Sequence, residues 1–341
     1  MAKQPQKKQF AMWIFMELQL ELVPFHYHNT PGFDVKLIGY INHIDDYGII
    51  TQTYILKGGT ILQTNKVSRN ISEPIKREVR QRCGFGCVIC GFPLYEYDHM
   101  KEWAVVHEHI ADDLTLLCDK HHKEVTNGLL PREKVLEANQ NPFNLQEKRS
   151  SPMLLHYQGN TCEVEIGGNK FTTQSNGEIT QLIPVLVDGI PIINFIIDSG
   201  NLLLNMVVFD QYNSVVLQIV NNELLYNTSP WDIVLEGKRL SIREKARKFL
   251  ISMIFEPPNK IIIDKARLLC NGVEILVKPE YILLTNNKNL ISGCKAINTQ
   301  GGLIIGNTPI PIGGFMSIQG VNRYLGDSSE AVKWAKEMLN D

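Results

Sequence analysis

Four residues limit what this chain can fold into more than any others do. Cys87 and Cys90 stand two residues apart within CVICG, and Cys118 and His121 repeat that interval within CDKHH. A Cys-x-x-Cys turn brings two thiolates to one ion, and a Cys-x-x-His at a helix start offers a thiolate and an imidazole from one face. Together they make a tetrahedral Cys3His set, the donor group of a structural zinc site. Four protein ligands leave no position for a reactive water, so such an ion staples the fold and does no chemistry. Buried cysteines without metal are the plainer reading of any one pair, but two matched pairs favour the ion. The chain has seven cysteines, an odd number, and a reducing compartment suits metal ligation better than disulfides. Cys83 lies close to the first pair. Cys162, Cys270 and Cys294 stand singly in apolar stretches, as core cysteines do.

At 341 residues the chain is too long for one small core. Its formal charge of -2 gives no overall attraction to polyanions, so any contact with nucleic acid must use local basic patches. Residues 11–22 are largely apolar, but Glu17, Gln19 and Glu21 interrupt them, and the run is too short to span a membrane. It also lacks a small-residue cleavage site. The expectation is a cytoplasmic protein with no membrane partner.

Residues 16–22 alternate, with Met16, Leu18, Leu20 and Leu22 on one face, which is the period of a strand. Further strands are expected at 35–41, 48–56 and 60–64, making residues 1–70 a β-rich unit. A helix follows, with Ser72 as N-cap and Pro74 in its first turn. Ile75 and Val79 form its buried face, which leaves Lys76, Arg77 and Arg80 toward solvent. With Lys66, Arg69 and Arg82 these make a basic patch opposed only by Glu73 and Glu78. A polar link at 139–151 marks a domain boundary. Residues 151–341 are rich in Ile, Val and Leu, punctuated by Gly167-Gly168, Asn176-Gly177, Asp188-Gly189, Asn221-Asn222 and Asn271-Gly272. That pattern predicts a strand-rich sandwich, barrel or solenoid. A terminal helix is expected, with Asp327 and Glu330 as its capping box and Ala331, Trp334, Ala335 and Met338 on one face.

Asp98-His99 ends a predicted strand, and His122 directly follows the ligand His121. A carboxylate and an imidazole supply what a hydrolytic metal site requires: a hard oxygen ligand and a base for water. The stretch 79–127 resembles the HNH endonucleases, the ββα-metal nucleases. Val79-Arg80-Gln81-Arg82-Cys83-Gly84 looks like that family's approach to its first knuckle, and Asp98-His99 matches its Asp-His pair. Asp113, fourteen residues after His99, stands where the middle Asn is usual, and His122, nine further on, takes the place of the final residue. The chain departs from the family in having Asp113 for Asn and His121 where a fourth cysteine is commoner. It also has Val105-Val106-His107-Glu108-His109 in place of a glycine-rich loop.

The resemblance covers roughly sixty residues and implies a zinc-stabilised ββα-metal module within 71–150; with the N-terminal β unit and the larger all-β domain at 151–341 read from their strand patterns, the expected fold is α+β. The resemblance also implies a DNA endonuclease acting on double-stranded DNA, with His99 as general base and Asp98 and His122 holding one Mg2+ or Mn2+. Asp113 would hold the metal loop, and cleavage would leave 5′-phosphate and 3′-hydroxyl ends. Joining a cutter to a larger domain that regulates, recruits or forms homo-oligomers suits a restriction or anti-phage defence enzyme. The alternative is a zinc-stabilised nucleic-acid-binding or scaffold protein with a vestigial site, which Asp113 favours. Asp198-Ser199-Gly200 looks like an aspartic-protease signature, but a strand ending in a turn explains it better. Lys238, Arg239, Arg243, Lys245, Arg247 and Lys248 form a second basic run, either lining a DNA path or simply solvated.

Overall fold

The computed structural model describes residues 37–44, 49–56, 61–68, 70–100, 109–308, 313–323 and 338. The strand expected at 16–22 and most of the terminal helix lie outside these residues. The chain forms two compact units, Met1–Ile71 and Ser72–Asp341. In the first, β1 (Leu37–Ile44), β2 (Ile49–Leu56) and β3 (Ile61–Ser68) make an antiparallel sheet in that order, close to the expected strands.

The second unit opens with α1 (Glu73–Arg82), which carries Pro74 in its first turn and presents Val79 inward. Ser72 occupies the N-cap without a side-chain bond to the helix. Arg80 departs from the expectation. Only 1% of it is exposed, because its guanidinium inserts between α1 and the buried carboxylate of Asp232. Next comes the antiparallel pair β4 (Glu96–His99) and β5 (Leu114–Leu117), with Asp98 opposite Thr115 and His99 opposite Leu114. Three helices follow: α2 (Asp119–Thr126), α3 (Arg132–Gln140) and α4 (Phe143–Glu147).

The remainder is two large sheets among the described residues. One is built on the antiparallel run Thr180–Val187, Ile190–Asp198, Asn201–Phe209, Val215–Val220 and Glu223–Tyr226. Gly301–Ile305 pairs with Thr180–Val187 in parallel. The other runs in sequence order from Asp232–Glu236 to Asn289–Ile291, with Thr161–Ile166 added in parallel to Lys260–Cys270. Phe195 and Leu204 of the first sheet share one apolar core with Ile251, Ile263 and Ile275 of the second, so the arrangement is a two-layer sandwich. The whole is α+β and strand-dominated.

The turn pairs act as their composition requires. At Gly167-Gly168, Asp188-Gly189, Asn221-Asn222 and Asn271-Gly272 both residues have positive φ, the geometry of two-residue hairpins. Ser199-Gly200 is another, with φ of 51° and 81°, joining Ile190–Asp198 to Asn201–Phe209. The protease-like motif is therefore a hairpin turn. Phe85, between α1 and the first cysteine pair, belongs to the sandwich core, and Tyr226 Oη donates to its carbonyl at 2.6 Å.

Candidate metal and hydrolytic site

The first cysteine pair sits on a turn that its neighbours force tight. Gly91 N donates to Cys87 O at 2.7 Å and Cys87 N to Phe92 O at 3.0 Å. Gly91 has a φ of +73°, and a Cβ there would meet Asn144 Oδ1 at 2.2 Å, so glycine is required. Cys118 is the N-cap of α2, and His121 lies in its first turn. Cys87 Sγ lies 3.3 Å and Cys118 Sγ 3.2 Å from His121 Nδ1, and Cys90 and Cys118 bring their sulfurs to 3.8 Å.

The four ligand atoms all fall within 4.8 Å of one another. Zinc bonds of about 2.3 Å to sulfur and 2.0–2.1 Å to nitrogen give tetrahedral edges of roughly 3.6–3.8 Å, so the donor set and its spacing fit. The cluster can hold a metal ion such as zinc. His121 Nε2 faces Glu124 at 4.0 Å, which orients the ring with Nδ1 toward the thiols. Hydrogen bonding from Cys90 holds the Cys87 thiol down at about 4, while the same contact pushes the Cys90 thiol up. Two adjacent thiolates repel one another, and a cation at the centre removes that conflict. Cys83 stands apart, its Sγ against Asn139 Oδ1 at 3.6 Å. Cys162, Cys270 and Cys294 are buried core residues.

Beside this cluster lie the hydrolytic candidates. Residues 96 and 98 share a face of β4, and both carboxylates meet His122. Asp98 Oδ1 is 3.4 Å from Nε2, and Glu96 Oε2 is 3.6 Å from Nδ1. His99 Nε2 is 3.3 Å from His109 Nδ1, their rings 5.4 Å apart. Burial and the neighbouring His109 lower the His99 pKa, against opposing pulls from Asp113 and Asp98. Asp113 is buried at the turn into β5, where its carbonyl accepts from Met100 N at 2.8 Å. His107 lies outside the described residues.

Two residues here had no sequence signal strong enough to single them out. Arg132, at the start of α3, donates from Nη1 to Asp98 Oδ2 and to His99 O, the latter at 3.0 Å. Glu96 was legible only as the alternate-position neighbour of Asp98 once the strand was placed. The basic runs also differ from their expected state. Lys238 pairs with Glu256 at 2.9 Å and Arg239 with Asp264 at 2.7 Å.

An Asp98–His122 separation of 3.4 Å compares with roughly 3 Å between adjacent ligands of an octahedral ion bound at 2.0–2.1 Å. The second oxygen of Asp98 is already bonded to Arg132. No helix among the described residues is long and apolar enough to cross a membrane. No protein-family model matches the chain, and no curated protein or solved structure matches it either.

Proposed function

We propose that this chain is a metal-dependent endonuclease that hydrolyses phosphodiester bonds in double-stranded DNA, with structural zinc at Cys87, Cys90, Cys118 and His121. One observation carries the reading. The antiparallel pair β4–β5 runs directly into α2 across the Cys3His cluster, and this hairpin-helix unit brings Asp98 to 3.4 Å from His122 with His99 next along the strand. That is the order of elements and residues expected of an HNH nuclease.

Asp98 and His122 would hold one Mg2+ or Mn2+, which when bound supplies Lewis acidity at the scissile phosphate. His99, kept neutral by burial, accepts the proton of the attacking water, and His109 beside it offers that proton an onward route. Asp113 supports His99 electrostatically, and Arg132 fixes Asp98 in orientation. The strand-rich remainder would then recruit, regulate or assemble the cutter.

The test is incubation of purified chain with supercoiled plasmid in Mg2+, Mn2+ or chelator. Nicked or linear product is expected only with metal, and His99→Ala should lower its rate by about 10²-fold or more while zinc content holds. No cleavage by protein carrying a full equivalent of zinc would overturn the reading. A second reading, a zinc-stabilised nucleic-acid-binding protein without catalysis, is favoured by Arg132, which already neutralises Asp98. It predicts DNA binding indifferent to Mg2+ and no product.

A further inference from the structure

Asp232 is wholly buried, yet arginines from two distant parts of the chain surround it. Arg80 takes the carboxylate for itself, donating from Nε and Nη2 at 2.8 and 2.9 Å. That leaves Arg77 of α1 and Arg243 of strand Arg239–Lys245 at 3.7 and 3.6 Å, within ion-pair reach but outside hydrogen bonding. Neither guanidinium makes a hydrogen bond among the described residues, and the Nε of each is buried without one, which leaves the outer Nη groups for any ligand. Each guanidinium instead lies over an aromatic ring, Arg77 at 4.5 Å from Trp231 and Arg243 at 4.7 Å from Phe249. Stacking fixes the plane of a guanidinium while leaving its N–H groups to a ligand.

Nearby carboxylates do not answer this charge. Glu244 and Glu274 are taken by Arg267, Asp264 by Arg239, and Glu73 by Arg80. Lys265 lies over the same Phe249 ring at 5.4 Å, and Lys245 and Lys248 face each other across the hairpin. Two basic runs far apart in sequence thus meet around one over-subscribed aspartate. A ligand with regularly repeated negative charges can satisfy Arg77, Arg243 and the hairpin lysines together, as a phosphate backbone does.

We infer that Arg77 and Arg243, with Lys245 and Lys265 beside them, form a docking surface for the phosphate backbone of duplex DNA. This rests on DNA being the substrate in the proposed function. Arg80 Nη1 also donates at 2.8 Å to Tyr97 Oη, so the arginine cluster packs on the face of β4 opposite to Asp98.

The experiment uses the full chain carrying His99→Ala, so that bound DNA survives, and follows fluorescence anisotropy of a short labelled duplex across a salt series. Arg77→Gln and Arg243→Gln should each reduce the slope of log K against log[salt] by about 0.9 unit per lost phosphate contact. The loss should be equal for duplexes of unrelated sequence, measured at a temperature where each variant is folded, since both arginines also pack on aromatic rings beside Asp232. Lys278→Gln, outside the surface, should leave the slope as it is. Unchanged slopes in both arginine variants overturn the inference, as does absence of duplex binding at low salt. Displacement of the duplex by polyglutamate of matched charge assigns the surface to an acidic protein and overturns it too. Plasmid cleavage by the unsubstituted chain is scored separately. Slope losses without cleavage sustain the surface and sink the nuclease reading, while cleavage with unchanged slopes does the reverse.

Discussion

His121 and His122 are consecutive on α2, and the roughly 100° between successive helical side chains turns them to different work. One meets the thiols of Cys87 and Cys118, the other meets Asp98 and Glu96. A single turn of helix therefore serves the Cys3His cluster and the Asp98–His122 pair together, and disruption of the first reaches the second. Cys87→Ser should leave far less than one equivalent of zinc by elemental analysis and lower the melting temperature sharply, because binding and folding are coupled in such sites. Retention of a full equivalent with unchanged melting would show that these four residues hold no ion. The resemblance supplied these residues with their spacing. It did not supply Arg132, whose contact with Asp98 depends on where α3 begins in space.

At the scale of elements, the hairpins of the sandwich depend on residues that accept positive φ. Gly167 has a φ of +52°, and a Cβ there would lie 2.4 Å from the carbonyl oxygen of Tyr281. Gly177, at +103°, has nothing within 4 Å of that position. Gly167→Ala should therefore destabilise by more than the roughly 1–3 kcal/mol of backbone strain alone, and Gly177→Ala by about that strain. Denaturant midpoints compare the two, and equal losses would mean that the close approach to Tyr281 does not matter. Asp188 adds a pH-dependent clasp. Burial alone would raise its pKa, but Arg323, Asn271 and the backbone N–H of Asn307 outweigh burial and lower it. A carboxylate depressed in the folded state stabilises above its unfolded pKa, and that contribution is lost as pH falls through the folded value. Asp188→Asn keeps a residue that tolerates the turn's φ of 50° and removes the charge. Its unfolding free energy should fall below that of the parent at pH 7, by about 1 kcal/mol or less, and the gap should close below roughly pH 4. A gap that stays constant on acidification would rule the clasp out.

Across the whole molecule, the ββα segment and the sandwich of residues 72–341 are joined by a buried ion pair and a shared core. Arg80 and Asp232 are respectively 1% and 0% exposed; removing Asp232 leaves buried Arg80 with only Glu73 and Tyr97, and removing Arg80 leaves Asp232 with only the more distant Arg77 and Arg243. Asp232→Ala should cost roughly 3–5 kcal/mol, whereas replacing both residues by apolar ones should cost much less. A double-mutant cycle on unfolding free energy measures this, and additive losses would deny the coupling. Phe85 would be exposed if residues 72–150 were expressed alone, so that fragment loses an apolar contact as well as the ion pair. Residues 72–150 are therefore harder to obtain as an isolated fragment than a domain boundary at 139–151 implies.

The sequence by itself determined the four-ligand cluster, the positions of the hairpin turns and the inward cysteines of the sandwich. Each depends on chemistry confined to a few neighbouring residues: thiolate spacing, φ above zero, or alternation along a strand. It also placed Asp98, His99 and His122 on one short hairpin-helix unit, because their spacing is local to that unit. Only the tertiary structure decided which basic residues are buried in ion pairs and which stay outside hydrogen bonding. Arg77 and Arg80 sit three apart on one helix, and nothing in that spacing says that Arg80 will be buried against Asp232. Nor does it say that Arg77 will stack outside it on Trp231. The choice between sandwich, barrel and solenoid was likewise settled by which faces bury each other, a property that strand periodicity does not encode.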